Sequence, residues 1–107
     1  IHGGEGGQSG YNDDFWRYDI EAGTWTMQNG TNRMPSKRRR HVLIYDTDRK
    51  ALWLHGGYAY VSPSEIRYDD LWRYDVQAGT WTEQITANRP PGRYYHGMAI
   101  LAEALWL

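Results

Sequence analysis

The sequence lacks cysteine, and it lacks an excess of either sign of charge. Without thiols these residues cannot form a disulfide framework, a thiolate zinc site or a thiol nucleophile. The 12 Lys and Arg residues against 13 Asp and Glu residues give a formal net charge of −1, so the chain as a whole does not attract nucleic acid or an anionic membrane. No apolar run approaches the roughly 18 residues of a membrane-spanning helix. We therefore expect no nucleic-acid partner and no insertion of this segment into a membrane.

The aromatic content is high for a short chain. Phe occurs once, but there are six Trp, nine Tyr and twelve Gly residues, and no apolar stripe repeats with a helical period. This combination is typical of many short strands whose aromatic side chains pack between stacked sheets. The composition therefore predicts an all-β fold.

One long segment of the sequence occurs twice. Residues 13–26 read DDFWRYDIEAGTWT, and residues 69–82, which lie 56 positions later, read DDLWRYDVQAGTWT. The His-Gly-Gly of residues 2–4 returns at residues 55–57, which lie 53 positions later. A period slightly above 50 residues predicts structural repeats that stack on one another.

The repeated residues resemble the Kelch repeat, which forms one blade of a β-propeller. The family's features occur in order as His41, Gly56-Gly57, Tyr74-Asp75 and Trp81. The resemblance implies a Kelch-type propeller fragment with one complete four-stranded antiparallel blade and two partial blades. It also implies structural roles for the recurring residues, namely Gly3, Gly4, Tyr18, Trp25, His41, Gly56, Gly57, Tyr74, Trp81 and His96. The stretch HGGYAYVSPSEIRYDDLWRYDV further resembles attractin and the related multiple-EGF-domain cell-surface proteins.

The family's strand order predicts where the strands lie. Residues 1–107 are expected to form one fragment, with repeat 1 at about 1–53 and repeat 2 at about 54–107. Period-two alternation predicts that Trp72, Tyr74 and Val76 share one face of a strand. We expect a glycine-rich loop at residues 3–10. The predicted strands of the complete blade are 41–46, 51–55, 70–76 and 80–85, with strands at 14–20 and 24–28 before it and 95–101 after it.

No metal or cofactor site is predicted. His2 with His55, and His41 with His96, occupy equivalent places in different repeats, so these equivalents are expected to lie a blade apart. The two Asp-Asp pairs before the repeated Trp-Arg-Tyr-Asp segments are expected to accept hydrogen bonds from loop backbone, and a calcium role stays open for them. No helix follows the Gly-Gly pairs, which argues against a phosphate-binding loop. We therefore assign no catalytic residue, metal ligand or cofactor.

Partner-binding residues are expected in the unrepeated loops, because the repeated residues already have structural roles. For Arg38, which matches the family's arginine before the first strand of a blade, a structural role is the alternative. The loop tyrosines are expected to be exposed. The candidate binding residues are Tyr11, Arg38, Arg39, Arg40, Tyr58, Tyr60, Arg67 and Tyr68. The prediction is a non-catalytic protein-interaction module, whose remaining blades come from the same longer chain or from other copies.

Alternatives to this function stay open. Kelch-like folds also occur in galactose oxidase and in a sialic acid epimerase, so a carbohydrate-binding or enzymatic propeller is one alternative. The Tyr-Cys cofactor of the oxidase is excluded here because cysteine is absent. A structural segment of an extracellular assembly is another alternative. Asn29-Gly30-Thr31 is an N-glycosylation sequon, which favours an extracellular or cell-surface location over the cytoplasmic alternative.

Overall fold

The computed structural model describes residues 1–6, 10–28 and 33–107. The described residues form strands and contain no helix long and apolar enough to cross a membrane. The predicted all-β fold is confirmed. The strands are β1 (His2–Gly6), β2 (Gly10–Asp19), β3 (Thr24–Met27), β4 (Val42–Asp46), β5 (Ala51–His55), β6 (Tyr58–Val61), β7 (Ser64–Arg67), β8 (Leu71–Asp75), β9 (Thr80–Glu83), β10 (Ala99–Leu101) and β11 (Ala104–Trp106).

Two antiparallel sheets form the body of the structure. The first sheet has the order β1-β2-β3, and the second has the order β4-β5-β8-β9. The second sheet is the complete four-stranded blade that the repeat predicts. Two separate hairpins accompany these sheets, β6–β7 in the connection between β5 and β8, and β10–β11 at the end of the chain.

The core lies between the two sheets. Alternation along β8 buries Trp72 and Tyr74, and the cross-strand register places Trp81 of β9 opposite Tyr74. The Phe15 ring, carried by β2 of the first sheet, lies 4.8 Å from the Tyr74 ring and 5.3 Å from the Trp81 ring. Each buried aromatic side chain removes about 150–250 Å² from water. The repeated aromatic residues of the second sheet therefore hold the two sheets together.

The matching residues of the first sheet are not covered in the same way. Tyr18 and Trp25 correspond to Tyr74 and Trp81, yet they are 47% and 58% exposed, and their rings contact each other at 5.0 Å. Tyr18 and Trp25 lie on the face of the first sheet that is turned away from Phe15 and the second sheet. Their structural role between blades stays a prediction.

Three details of the predicted strands are wrong. β8 ends at Asp75, so Val76 lies beyond the strand and is exposed. Residues 3–6 and Gly10 belong to β1 and β2 rather than to a loop, and residues 7–9 lie outside the described part. The last predicted strand, 95–101, is shortened to β10, which pairs with β11 through a two-residue turn at positive φ.

Glycine is required where β5 leaves the second sheet. Gly56 has a φ of 71°, and a Cβ at this position would lie 2.5 Å from the carbonyl oxygen of Arg93. Only a residue without a side chain permits this approach without displacing the backbone before the following, partial blade. Gly56 thus makes a close contact between neighbouring blades, and the close backbone approach agrees with the structural interpretation of the Gly-Gly pair.

Candidate interaction site around the β6–β7 hairpin

Arg38 anchors the segment that carries the arginine run. Its side chain is fully buried, and its guanidinium donates to both carboxylate oxygens of Asp70 at 2.5 and 2.8 Å. It also donates to the carbonyl oxygens of Gly56 and Ser36, each at 3.0 Å. A side chain enclosed in this way cannot reach a partner, so the structural alternative describes Arg38 and its selection as a binding candidate is not supported.

Asp70 is the buried acceptor of this arrangement. It also accepts a hydrogen bond from the indole N–H of Trp72 at 2.7 Å, and Asp14 accepts one from the indole of Trp16 at 2.6 Å. These acidic residues therefore bind side chains, and not chiefly the loop backbone as expected. Burial alone would raise the pKa of Asp70, but the hydrogen bonds and charge of Arg38 outweigh it, and the net pKa is lowered.

Tyr58 connects the hairpin to the arginine run. Its backbone N–H donates to the carbonyl oxygen of Arg39 at 2.8 Å, and the N–H of Arg39 donates to the carbonyl oxygen of Tyr58 at 2.9 Å. These two bonds form an isolated antiparallel bridge between Arg39 and β6. The Tyr58 ring lies 5.2 Å from the Tyr94 ring and 6.5 Å from the Tyr11 ring. The side chain is 9% exposed, so the expectation of an exposed aromatic residue is wrong for Tyr58. Burial raises the pKa of its phenol, and Glu65 adds to this shift.

Cationic side chains surround Tyr58 and its aromatic neighbours. The guanidinium carbon of Arg39 lies 5.3 Å from the Tyr58 ring centroid, and that of Arg40 lies 4.5 Å from the Tyr95 ring centroid. Arg67, at the end of β7, lies 5.8 Å from the Tyr94 ring centroid. These distances fall within the range of cation–π attraction. We name this group the Arg–Tyr cluster, and its members are Tyr11, Arg39, Arg40, Tyr58, Arg67, Tyr94 and Tyr95.

An open cleft adjoins the Arg–Tyr cluster and shares Tyr11 with it. Its volume is about 460 Å³, and Tyr11, Lys37, Tyr60 and Tyr68 line it. The Tyr68 ring also covers the guanidinium of Arg38 at 3.8 Å. The structure thus brings together three of the predicted loop tyrosines, of which Tyr11 lies far from Tyr60 and Tyr68 in the sequence. We name this feature the tyrosine cleft.

Sequence reasoning missed Tyr94 and Tyr95. Both lie between Arg93 and His96, which match residues of the earlier repeat, whereas the sequence predicts binding residues in the unrepeated loops. The missed signal is a change of residue type at matched positions, because arginines stand there in the earlier repeat. Asn29, the glycosylation candidate, lies outside the described residues.

The histidines form two pairs, and in each pair a histidine of a strand meets a histidine of the segment that precedes the next blade. His2 and His41 have ring centroids 5.3 Å apart, and the Nδ1 of His55 lies 3.0 Å from the Nε2 of His96. Burial lowers the pKa of His2 to about 3 and also lowers the pKa of the other three rings. In residues 1–6, 10–28 and 33–107 no three metal-binding side chains gather around one point.

Comparison with known proteins agrees with this architecture. The family model described as KLHDC2/KLHL20/DRC7 Kelch-repeats domain matches residues 1–107. The chain is 29% identical over 108 residues to Mei4-dependent protein 6 of Schizosaccharomyces pombe, covering 94% of this chain and 15% of that protein. It is also 29% identical over 109 residues to Leucine-zipper-like transcriptional regulator 1 of Pongo abelii, covering 100% of this chain and 13% of that protein. The chain thus spans about one seventh of the length of these relatives.

The narrower resemblance to attractin-type proteins stays a prediction. The family model matches the whole chain, and the sheets of the structure have the strand order of Kelch blades. The chain belongs to the Kelch-repeat family.

Proposed function

We propose that this segment is a non-catalytic protein-interaction module whose partner docks on the Arg–Tyr cluster and the tyrosine cleft. Kelch repeats generally mediate protein–protein interaction. The observation that carries the proposal is the convergence of arginines and tyrosines from four separate parts of the chain around β6. Arginine and tyrosine are enriched at protein interfaces and among the residues that dominate binding energy.

Tyr60 and Arg67 test this surface without disturbing the core. Tyr60 is 49% exposed and the Arg67 side chain is 60% exposed, so their removal leaves the stacked sheets intact. In the full-length protein that contains this segment, Tyr60→Ala and Arg67→Ala should each weaken capture of its protein partners by about fivefold or more. Quantitative affinity capture from the native cells measures the effect, with thermal unfolding as the check on folding.

Two matched variants serve as controls. Tyr45 is 53% exposed on β4, and the Arg17 side chain is 64% exposed on β2. Both lie toward the opposite end of their strands from the hairpin, so Tyr45→Ala and Arg17→Ala should leave partner capture unchanged. Unchanged capture by the Tyr60 and Arg67 variants in a folded protein would remove this surface from the function.

We further propose that the remaining blades come from the same longer chain. The Arg38–Asp70 pair joins the segment before β4 to the segment before β8. The chain carries a second copy of the arginine, Arg93, and a second copy of the aspartate, Asp14. Arg93 donates to the carbonyl oxygen of Pro91 at 3.2 Å, just as Arg38 donates to that of Ser36. A neighbouring blade with the same residues would pair with Arg93, and one on the other side would pair with Asp14. The alternative, completion by other copies of the chain, would show as a multiple of the protomer mass in light scattering.

The location that we propose is the cell surface or the extracellular space. Its support is the sequon at Asn29, together with the attractin-like sequence after Gly56-Gly57. A glycan on Asn29 of the native protein, removed by peptide-N-glycosidase and absent in Asn29→Gln, is the expected result. An unmodified Asn29 in the native protein would favour the cytoplasmic alternative.

A further inference from the structure

The tyrosines that line the tyrosine cleft are not part of the repeated scaffold. The repeats align at offsets of 53 to 56 positions, and at none of these offsets does a tyrosine stand opposite Tyr11, Tyr60 or Tyr68. The three meet because the β6–β7 hairpin and the residue after it approach the start of β2. The cleft volume of about 460 Å³ lies within the range of about 300–1,000 Å³ that is typical of ligand pockets. The cleft is therefore of a size to hold a short segment of a partner.

Two of the three tyrosine rings are held in place by the fold itself. The Tyr68 ring centroid lies 3.8 Å from the guanidinium carbon of Arg38, which Asp70 fixes inside the fold. The Tyr11 ring meets the buried Tyr58 ring edge to face, with centroids 6.5 Å apart. Tyr60, which is 49% exposed, supplies the open wall of the cleft. Aromatic side chains that are already ordered lose little conformational entropy on binding, so their contact area stabilises a complex efficiently.

The cleft offers hydrogen-bond donors and a lining whose charges cancel. Within the described part of the chain, the hydroxyls of Tyr11 and Tyr60 donate to no protein acceptor, and Lys37 has no acidic partner. The negative charge of Asp13, also in the lining, balances that of Lys37. A complementary ligand therefore has an uncharged, apolar body and oxygen acceptors that are not used within the ligand itself.

We propose that the tyrosine cleft binds a short proline-rich segment of a protein partner in the polyproline II conformation. The inference rests on the proposed function and names the partner's chemistry. Aromatic-lined grooves are a recurrent binding site for such segments, whose conformation is largely formed before binding. A polyproline II chain makes no internal hydrogen bonds, and proline has no N–H. Such a segment therefore presents carbonyl oxygens to the hydroxyls of Tyr11 and Tyr60 and to the ammonium of Lys37.

An oligosaccharide is the less favoured ligand for the tyrosine cleft. Each sugar ring carries several O–H donors that need acceptors when they are removed from water. The described lining holds a single carboxylate, that of Asp13. Binding of a glycan is therefore an alternative outcome of the test, and it would count against the proposal.

Selection of peptides on the full-length protein tests the proposal. The probe is a library of randomised short peptides with acetylated and amidated ends, and fluorescence polarisation measures the affinity of the selected peptides. These peptides should be enriched in proline. Replacing their prolines with alanine should weaken binding by about fivefold or more, because alanine loses the ring contacts and the restricted backbone. Since the charges of the lining cancel, added salt should change the affinity by less than about twofold.

Variants of Tyr60 separate the ring contact from the hydrogen bond. Tyr60→Ala should weaken binding of the selected peptides by about tenfold, whereas Tyr60→Phe, which keeps the ring and loses the hydroxyl, should weaken it by about threefold. Tyr45→Ala removes a similarly exposed tyrosine from β4 and should leave the affinity unchanged. Thermal unfolding checks that all three variants are folded.

Three results would overturn the proposal. These are selected peptides without proline enrichment, full affinity in Tyr60→Ala, and a signal on a glycan array that Tyr60→Ala abolishes. The outcomes also separate the two proposals. If Tyr60→Ala weakens partner capture while the selected peptides lack proline, the interaction surface stands and the proline-rich partner is wrong. If Tyr60→Ala and Arg67→Ala leave partner capture unchanged, the interaction surface itself is wrong.

Discussion

Replacement of Arg38 by methionine should be strongly destabilising. The substitution keeps much of the apolar stem but removes five hydrogen bonds, two of which bind the carboxylate of Asp70. It leaves the Asp70 charge partly buried with the Trp72 indole, and it leaves the carbonyl oxygen of Gly56 without its arginine donor. Breaking a buried pair by removing one partner costs about 3–5 kcal/mol.

The size of this loss should depend on pH and on Asp70. Without Arg38, its hydrogen bonds and charge no longer offset the effect of burial, so the pKa of Asp70 should rise and the variant should lose less stability than the wild type as the pH falls. The difference between wild type and Arg38→Met should therefore be largest near neutral pH and smaller near pH 4. Arg38→Met/Asp70→Asn should be more stable than Arg38→Met at pH 7, because it removes the unpaired charge.

Chemical denaturation of the full-length protein, followed by tryptophan fluorescence, measures these differences. Arg17→Met is the matched control, because Arg17 is largely exposed, and its midpoint should stay near that of the wild type. A loss below about 1 kcal/mol for Arg38→Met would refute the assignment of Arg38 as a structural anchor. A double variant less stable than Arg38→Met would refute the role given to the unpaired Asp70 charge.

Two further predictions concern the contacts between repeats. Acidification from pH 6.5 toward 4 should lower the free energy of unfolding by about 1.4 kcal/mol per pH unit for His2, whose folded pKa of about 3 lies below the unfolded 6.5, and His2→Phe should flatten the measured profile. An unchanged slope in that variant would show that His2 is not responsible. Gly56→Ala should cost about 2 kcal/mol or more, because φ is positive and the new Cβ would meet the Arg93 carbonyl oxygen. Gly97→Ala, where no atom lies within 4 Å, should melt with the wild type, and equal melting of both variants would contradict the close contact.

The sequence predicts the complete blade well because two independent signals agree there. Strands β4, β5, β8 and β9 combine period-two alternation with polar turns, and the repeat supplies a second copy for comparison. The β6–β7 hairpin has no such template, since its residues are not repeated. Its local signal, Tyr-Ala-Tyr-Val followed by Ser62-Pro63, is the pattern of a short strand and a turn.

Burial at the candidate site could not be predicted in the same way. Tyr58 is buried because the hairpin folds back onto Arg39 and its ring meets Tyr11 and Tyr94, residues from three separate parts of the chain. Periodicity reports which residues share a face of one strand, but it does not report which loops meet in space. Residue type and loop position therefore predict several members of the candidate site, but they do not predict its burial or its contacts.

Comparison of matched positions in the two repeats separates residues with a structural role from candidate binding residues. Where matched positions carry the same residue, the structure gives a packing reason: Arg38 is buried against Asp70, and Gly56 leaves room for the backbone of Arg93 from the next blade. Where matched positions differ, as at Arg40 and Tyr95, the same left-handed backbone conformation carries two different side chains. Variants that change stability should therefore lie at shared positions, and variants that change binding should lie at positions that the repeats do not share. Substitution of a shared residue should change unfolding, whereas exchange of the exposed Tyr60 or Arg67 for alanine should change recognition and leave unfolding near that of the wild type.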